Sequence, residues 1–462
     1  MNKIIIRYCL ISFLFFIPMK GKAQSTTSKK PNIIFILSDD LGYGDIGFFG
    51  QKKILTPSLD KMAKEGMVFT QHYAGGPVCS PSRACLMTGL HQGHGYIKGN
   101  PGGMPEREQL RDEDTTVAEL LQNAGYETAC IGKWGLGQPG TSGYPLNKGF
   151  NYFVGYDTHV AAHNYYPESL HRNNGKLKLK DGEYSHDVFT REAMNFLNKK
   201  HDKPFFLYLA YTIPHGPFNP PDITPYEAKD WPDKFKKYAA MITRMDRDIG
   251  KILQLLATNG LGKNTLVIFT SDNGPQSSYG QGSNSMTKFF DSNGPLRGIK
   301  RDVLEGGIRI PYIAWWPEKI KAGTSDVPTA FQDFLPTACD LGGIKPPGNI
   351  DGISMVPLLF GNNDKFKGHE MMYWEFIRMG GKTKGSRQGA LDVRNNIKAV
   401  RYGTKGEIEL YFLNDDLSEK NNVAKQYPGI SKQMKAYMDS VRTPSKLWPI
   451  PEEGWVVSED KE

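Results

Sequence analysis

The run PNIIFILSDD at residues 31–40 decides the fold of this chain. Its apolar residues are continuous from Ile33 to Leu37, which is the pattern of a strand buried on both faces. Two carboxylates, Asp39 and Asp40, follow the strand directly. Adjacent carboxylates repel each other unless a cation holds them, although a plain polar loop would also place them there. The run therefore predicts a central strand of a sheet covered on both sides, with a candidate cation site at its end.

Outward from this run, apolar strand patterns alternate with helical patterns. The helix predicted at residues 56–66 has Thr56 as its N-cap, Pro57 in its first turn and Gly66 as its stop. Further helices are predicted at residues 115–125 and 235–259, and strands at Glu127–Gly132, Pro204–Tyr211, Thr265–Ser271 and Ile310–Trp316. This alternation predicts an α/β fold whose large mixed sheet is mostly parallel and is sandwiched by helices.

The pattern changes after about Gly361. Short strands are predicted at Ile397–Tyr402 and Glu407–Leu413, and a helix at Ile430–Val441. These elements predict a smaller C-terminal α+β domain with a short antiparallel sheet and a terminal helix. The predicted division is 1–23 for a signal peptide, 24–365 for the α/β domain and 366–462 for the C-terminal domain.

Composition indicates a folded globular protein. The chain has 462 residues, of which 39% are hydrophobic and 23% charged, as in globular proteins. The net charge is +8, but the first 23 residues hold four basic residues and no acid, which leaves +4 for the rest. So mild a charge over so long a chain excludes nucleic acid as the expected partner.

The N-terminus has the order of a signal peptide. Lys3 and Arg7 precede the apolar run Leu10–Ile17, and Gly21–Ala23 offers a cleavage site. An uncleaved anchor is the alternative, but the apolar run is short for a bilayer and no other segment resembles a span. The prediction is export to the periplasm or beyond, with no stable membrane span.

The cysteines do not form a disulfide framework. Of the five, Cys9 leaves with the signal peptide, and Cys79, Cys85, Cys130 and Cys339 remain. No C-x-x-C zinc pattern is present. The pairing of the last three stays open.

Polar side chains follow the other predicted strands as well. Asp272 and Asn273 come directly after Thr265–Ser271, and Lys133 and His215 follow the strands ending at Gly132 and Tyr211. Sites in open α/β sheets form outside the carboxyl ends of the strands, so these groups are expected at one edge. Three carboxylates and one amide oxygen form a hard oxygen set suited to Ca²⁺, or alternatively Mg²⁺.

The segment Cys79-Ser80-Pro81-Ser82-Arg83 lies within residues 78–89 and resembles the C-x-P-x-R signature of type I sulfatases. In that family the cysteine is converted to Cα-formylglycine by a formylglycine-generating enzyme, and the hydrated aldehyde attacks the sulfur of a sulfate ester. The segment also opens a predicted helix, whose N-terminus favours an anion.

The resemblance to sulfatases extends from Pro31 to about Arg309 and continues weakly at residues 408–413. It implies an alkaline-phosphatase-like α/β sandwich and a set of site residues. By this resemblance Cys79 is the nucleophile, Arg83 supports it, and Lys133, His215 and Lys300 are catalytic and contact the sulfate. The implied metal ligands are Asp39, Asp40, Asp272 and Asn273, together with the modified Cys79.

One departure from the family concerns Gly135. The run at residues 132–137 is GKWGLG, where the family usually has a histidine at the fourth position that contacts the formylglycine hydroxyl. His91, His94 and His163 are the candidates to replace it. His163 lies in AHNYYP, which resembles a stretch of bacterial carbohydrate sulfatases that carry the same glycine, and it is a predicted substrate-binding residue. A structural role in an aromatic loop is the alternative for it.

The predicted reaction is hydrolysis of a sulfate ester at the S–O bond, with His215 as general acid. The expected substrate is a sulfated saccharide of galactose or N-acetylgalactosamine type. Aromatic pairs at 165–166 and 373–374 are expected to stack on sugars unless they are packed in the core. Specificity is expected from the segments 157–172 and 373–398.

Two alternatives stay open, namely a phosphatase or phosphonate monoester hydrolase of the same superfamily and a non-catalytic protein that binds sulfated glycans.

Overall fold

A sheet of eleven strands lies at the centre of the molecule. The computed structural model describes residues 29–100, 105–107, 109–276, 285–378 and 384–454. The predicted signal peptide lies outside this part of the chain, so export stays a prediction. Among the described residues, no helix is both long enough and apolar enough to cross a bilayer.

The strands of the large sheet run in the order β10-β2-β9-β8-β1-β7-β3-β4-β5-β6, and β11 pairs with β2. Their bounds are β1 Asn32–Ser38, β2 Met67–Tyr73, β3 Glu127–Lys133, β4 Tyr152–Tyr156, β5 Ser169–Arg172, β6 Gly175–Lys178, β7 Phe205–Ala210, β8 Thr265–Ser271, β9 Arg309–Trp315, β10 Gly323–Ser325 and β11 Thr329–Ala330. The five central strands, from β8 to β4, are parallel, and antiparallel pairs occur towards both edges.

Helices cover both faces of this sheet. Their bounds are α1 Pro57–Glu65, α2 Cys79–Thr88, α3 Val117–Asn123, α4 Ser185–Asn198, α5 Asp233–Thr258, α6 Met286–Phe290, α7 Glu305–Ile308, α8 Phe334–Gly342, α9 Val356–Leu359 and α10 Pro428–Ser440. The sandwich confirms the predicted α/β class.

Strand β1 shows why the opening run decides the fold. All seven of its residues are buried between β7 and β8. Ile34 and Ile36 pack in the core that holds α1, α4 and α5, whereas Ile33, Phe35 and Leu37 pack with α2, α3 and α8. Successive side chains of a strand point to opposite faces, so a continuous apolar run fills two cores at once.

A second sheet lies towards the C-terminus. Its four antiparallel strands are β12 Met371–Arg378, β13 Gly385–Asp392, β14 Ile397–Tyr402 and β15 Glu409–Phe412, and α10 packs against it. The predicted smaller antiparallel sheet and terminal helix are therefore present. The domain boundary at residue 365 stays a prediction.

The predicted start of α1 is confirmed, with Thr56 at the N-cap position and Pro57 in the first turn. The Thr56 side chain makes no capping hydrogen bond to the helix. The Thr56 hydroxyl instead accepts a hydrogen bond from Gly47 N–H and donates one to Asp60, so it fastens the preceding loop to the helix.

Candidate active site

The predicted site residues meet at the carboxyl ends of neighbouring parallel strands. Asp39 and Asp40 follow β1, Lys133 ends β3, and Asp272 and Asn273 follow β8. Because β8, β1, β7 and β3 are adjacent and parallel, these ends lie along one edge of the sheet. Cys79 and Arg83 reach the same edge from α2, His163 and His215 from the loops after β4 and β7, and Lys300 from the loop before α7.

The centre of the site is a group of buried acids. Asp39, Asp40, Asp272 and Cys79 offer ligand atoms that all lie within 4.8 Å of one another. Asp40 has a φ of 66°, which a short polar residue tolerates better than most, and its N–H donates to Asp272 Oδ1 at 3.1 Å. This left-handed residue lets two consecutive carboxylates face the same site instead of opposite sides of the chain.

Three basic side chains pair with the three carboxylates. Lys133 Nζ lies 2.7 Å from Asp39 Oδ2, and Lys300 Nζ lies 2.7 Å from Asp40 Oδ2.

The third pair joins α2 to the end of β8. Arg83 donates from Nε and Nη2 to Asp272 Oδ2 at 3.1 and 2.8 Å. Its Nη1 also donates to the Lys133 carbonyl oxygen at 2.9 Å. Arg83, Lys133 and the carboxylates are all buried, so removal of one partner from a pair would leave an uncompensated charge.

Neighbouring groups and burial shift the pKa values of the carboxylates in opposite directions. Burial opposes the ionisation of Asp39, but Lys133, His215, Arg83 and Lys300 outweigh it and hold its pKa well below the usual range. Burial and the charge of Asp39 raise the pKa of Asp272 to about 7. The site therefore favours ionisation of Asp39 and opposes that of Asp272.

The donor set fits a hard divalent cation. The Asn273 Nδ2 donates to Asp40 Oδ1 at 2.7 Å, while the buried Oδ1 of Asn273 accepts no hydrogen bond from any described residue. An unpartnered buried oxygen is costly unless a ligand satisfies it. Together with the carboxylate oxygens it forms an oxygen set that suits Ca²⁺ or Mg²⁺ and offers no soft ligand beyond Cys79.

Cys79 is the first residue of α2 and is only 1% exposed. Its Sγ lies 3.5 Å from Asp39 Oδ1. Burial raises the pKa of the Cys79 thiol to about 12, against the opposing effect of Lys133 and Lys300. An unmodified thiol at this position is therefore protonated at neutral pH and is a poor nucleophile.

A cavity of about 360 Å³ opens above these groups. Most of the residues around it have polar or imidazole side chains, and they come from five separate segments between helices and strands and from the start of α2. They are Cys79, Asn100, His159, His163, His215, Gly216, Pro217, Gln276, Lys300 and Arg301.

Two histidines stack in this cavity. His215 Nε2 lies 3.4 Å from Asp40 Oδ2, and the ring of His163 lies parallel to that of His215 with centroids 4.1 Å apart. Burial and the charge of Lys300 lower the pKa of His215 to about 4, and burial and His215 lower that of His163 to about 3. Both shifts favour the neutral imidazole rings, and the negative charge of a bound ester would favour protonation of His215.

His163 is the one of the three histidine candidates that reaches the cavity. His94 Nδ1 lies 2.9 Å from Asp351 Oδ1 and His91 Nε2 lies 3.9 Å from it, and neither ring lines the cavity. Gly135 has a φ of 71° and donates its N–H to the Asp157 carbonyl, at the start of the loop that carries His163.

The aromatic pairs predicted to stack on sugars are packed in the core. Tyr165, Tyr373 and Trp374 are each 2% exposed, and only Tyr166 is partly exposed. The Tyr165 hydroxyl donates to the backbone oxygens of Thr212 and His215. Tyr165 therefore holds the His215 loop in place, and the sugar-stacking prediction was wrong for the three buried residues.

Six cavity residues were not predicted as site residues: Gly216 and Pro217, which follow His215 directly, and the polar residues Asn100, His159, Gln276 and Arg301. Arg301 adjoins Lys300 and His159 lies in the loop predicted to set specificity, so position along the chain was an available signal for both. Asn100 accepts a hydrogen bond from Ser80 N–H and Gln276 one from Gly216 N–H, and nothing in their sequence context marks either contact.

Two family models match this chain. The model described as Sulfatase matches residues 31–344, which includes every residue of the site described above. The model described as N-sulphoglucosamine sulphohydrolase, C-terminal, matches residues 299–444 and so includes the second sheet.

Individual relatives agree with these matches. The chain is 35% identical to N-acetylgalactosamine-6-sulfatase of Rattus norvegicus over 379 residues, which cover 73% of this chain and 67% of the relative. It is 30% identical to the uncharacterized sulfatase YdeN of Escherichia coli strain K12, over 94% of this chain and 89% of that protein. The crystal structure of Ps i-CgsB in complex with k-i-k-neocarrahexaose superposes with a TM-score of 0.77 at 31% identity, covering 89% of this chain and 92% of that one.

Proposed function

Since the chain belongs to the sulfatase family and is a sulfuric ester hydrolase, we propose that it removes sulfate from a sulfated carbohydrate by means of a formylglycine at position 79 and a divalent cation. One observation carries the proposal. Cys79, three carboxylates and three cations converge at one sheet edge beneath a single cavity.

The carbohydrate substrate is supported by the names of relatives. The rat relative is named N-acetylgalactosamine-6-sulfatase, and the superposed crystal structure is a complex with k-i-k-neocarrahexaose. The cavity walls add support, because Asn100, His159 and Gln276 offer hydrogen-bonding groups of the kind that recognise sugar hydroxyls.

Two absent groups would supply the reactive chemistry. Formylglycine formed from Cys79 by a formylglycine-generating enzyme would supply a hydrated aldehyde as nucleophile. A Ca²⁺ or Mg²⁺ ion held by Asp39, Asp40, Asp272 and Asn273 would supply Lewis-acid stabilisation of the sulfate oxygens.

The chain's own residues bind and orient the ester. The ammonium groups of Lys133 and Lys300 lie beside Asp39 and Asp40. From there they stabilise the negative charge that develops on the sulfate oxygens. Arg83 of α2 bonds both Asp272 and the carbonyl at the end of β3. These bonds hold α2 against the strand ends and keep residue 79 beside Asp39. His215 faces the cavity and is the candidate to hand a proton to the leaving oxygen once the ester is bound.

Charge balance supports the binding of an anion. Each of the three carboxylates pairs with a basic side chain, so a divalent cation bound there would give the site excess positive charge. In a buried site of low dielectric, this excess would attract the anionic ester.

Sulfate release from defined sulfated saccharides, measured with matured enzyme, tests the proposal. We expect kcat/KM on at least one saccharide to exceed that on a simple aryl sulfate. Equal or faster hydrolysis of the aryl sulfate than of every saccharide would contradict a carbohydrate role.

Matched sulfate and phosphate esters test the alternative activity. Preference for the phosphate ester would indicate that the protein uses the same metal site as a phosphatase or phosphonate monoester hydrolase. Export, supported by the basic and apolar order of residues 1–23, is tested by sequencing the mature N-terminus.

A further inference from the structure

Two carboxamide side chains, those of Asn100 and Gln276, line the cavity, and neither takes part in the steps of ester hydrolysis described above. Asn100 Oδ1 accepts a hydrogen bond from the Ser80 N–H at 3.1 Å, and Gln276 Oε1 accepts one from the Gly216 N–H at 3.0 Å. Because a backbone N–H can only donate, the atom that faces it is the amide oxygen and not the amide nitrogen. These two bonds therefore fix the orientation of both amides.

Both bonds attach the cavity wall to segments that carry candidate catalytic residues. Ser80 is the second residue of α2, directly after Cys79, and the N-cap residue of this helix makes no side-chain capping bond. Asn100 therefore satisfies one of the N–H groups that a helix leaves free at its start. Gly216 directly follows His215. A sugar held by these two amides would thus be positioned relative to the nucleophile and to the candidate general acid.

The remaining polar group of each amide is an NH2, which can donate two hydrogen bonds and accept none. Among the residues that the structure describes, none accepts a hydrogen bond from Asn100 Nδ2 or Gln276 Nε2. Both side chains are partly exposed. None of the described residues that line the cavity is Phe, Tyr or Trp, so the wall offers a sugar hydrogen-bonding groups instead of a large aromatic surface.

We propose that Asn100 and Gln276 are specificity-determining residues whose NH2 groups donate to hydroxyl or N-acetyl carbonyl oxygens of the sugar that carries the scissile sulfate. The sulfate group has other partners, because Lys133, Lys300 and the proposed cation lie at its expected position. This inference rests on the proposed carbohydrate sulfatase function. It assigns to that function the residues that distinguish a sugar sulfate from another sulfate ester.

The experiment measures kcat/KM on a simple aryl sulfate and on the sulfated saccharide that wild type hydrolyses fastest, and it compares the ratio of saccharide to aryl sulfate. Asn100→Asp and Gln276→Glu keep an oxygen that accepts from the backbone N–H and lose the NH2 group. We expect each to lower the ratio about 3- to 10-fold, the effect of losing one hydrogen bond between uncharged groups. The added negative charge acts on the sulfate that both substrates share, so this effect cancels in the ratio.

Two further variants control for charge and position. Gln276→Met is uncharged and loses the NH2 together with the oxygen, so it should lower the ratio as Gln276→Glu does. Asn259→Asp makes the same change from amide to carboxylate at the exposed C-terminal end of α5, and it should keep the wild-type ratio. Asn259 precedes β8 along the chain, whereas the site lies at the carboxyl end of that strand.

Each result bears on the inference. A lowered ratio in Asn100→Asp, Gln276→Glu and Gln276→Met supports it. An unchanged ratio, or an equal fall on both substrates, overturns it, because the amides then serve only to hold the backbone. If the variants do not fold, wild-type enzyme is assayed on saccharides that each lack one hydroxyl or acetamido group. A fall of about 3- to 10-fold with at least one of them then supports the inference, and no fall with any overturns it. Failure of the proposed function has a different signature, since then no saccharide is hydrolysed although an aryl ester is.

Discussion

At the scale of single residues, Gly135 helps to position the loop that carries His163. Gly135 has a φ of 71°, a left-handed conformation that would be strained for a residue with a β-carbon. Gly135 N–H bonds the Asp157 carbonyl, so the glycine turn anchors the loop that presents His163 against His215. Gly135 and His163 are thus linked through a single loop.

Residue 79 should be formylglycine in protein from a host that carries the maturation enzyme. Peptide mass spectrometry of the segment around Cys79 should show the aldehyde mass in place of the thiol mass. Cys79→Ala should retain substrate binding and lose turnover by roughly 10,000-fold or more, because the nucleophile is gone. Fully active enzyme with an unmodified Cys79 would refute the assignment.

His163→Ala should lower kcat about 100-fold, the usual contribution of a positioned acid or base, with a smaller change in KM. The reason is its position in the cavity, stacked on His215. The matched control is His91→Ala, which removes a histidine that contacts Asp351 and does not line the cavity. Turnover by His163→Ala at the wild-type rate, or an equal loss in His91→Ala, would leave His163 with a structural role only.

At the scale of elements, the strand ends determine what the site can bind. Asn273→Ala should weaken the affinity for Ca²⁺ about 10- to 100-fold, since it removes one neutral oxygen ligand. Isothermal titration of chelator-treated enzyme with Ca²⁺ measures this directly. Asp272→Ala should also lose the ion and activity, but it leaves the buried Arg83 without its carboxylate and therefore lowers stability as well.

Two results would contradict the proposed metal site. Unchanged Ca²⁺ affinity in Asn273→Ala would exclude Asn273 as a ligand. Stoichiometric zinc in active enzyme that lacks calcium and magnesium would refute the hard-cation assignment altogether.

The elements that the sequence predicted best are those with a strong apolar pattern. Thr265–Ser271 is a strand with the predicted bounds, and the strand predicted at Glu127–Gly132 ends one residue later, at Lys133. Strand β13 was missed because its sequence GSRQGALD buries an arginine and a glutamine instead of alternating apolar residues. Arg387 Nη1 pairs with Asp302, and Gln388 bonds with Tyr373 and Arg401, which are partners that no local pattern reveals.

The site was predictable for a related reason. Asp39, Asp272 and Lys133 were found because strand ends and family motifs mark them. His159, Gln276 and Asn100 line the cavity through loops whose paths depend on long-range contacts, and a single sequence holds no record of those paths.

At the scale of the whole molecule, the second sheet supports the catalytic loops of the first. Trp374 Nε1 donates to the Ala74 carbonyl, and Glu375 N–H donates to the side chain of Gln92. Ala74 precedes α2 along the chain, and Gln92 follows it. Arg387 pairs with Asp302, and Lys398 Nζ lies 2.8 Å from Glu305 Oε1 at the start of α7. The loop that carries Lys300 is therefore fixed by side chains from β13 and β14.

Lys398→Met should destabilise the protein by about 3 kcal/mol at neutral pH, because it removes the nearest cation from the buried carboxylate of Glu305. Burial opposes the ionisation of Glu305, but Lys398 and Arg309 hold its pKa below the usual 4.5. A depressed carboxyl pKa contributes stability above the unfolded value and loses it as the pH falls. The difference between wild type and variant should therefore be full at pH 7 and shrink below about pH 4.5. Urea unfolding at several pH values measures it, with the exposed Lys405→Met as a control that keeps the wild-type midpoint. A pH-independent difference would show that packing of the Lys398 stem, and not its charge, joins the two sheets.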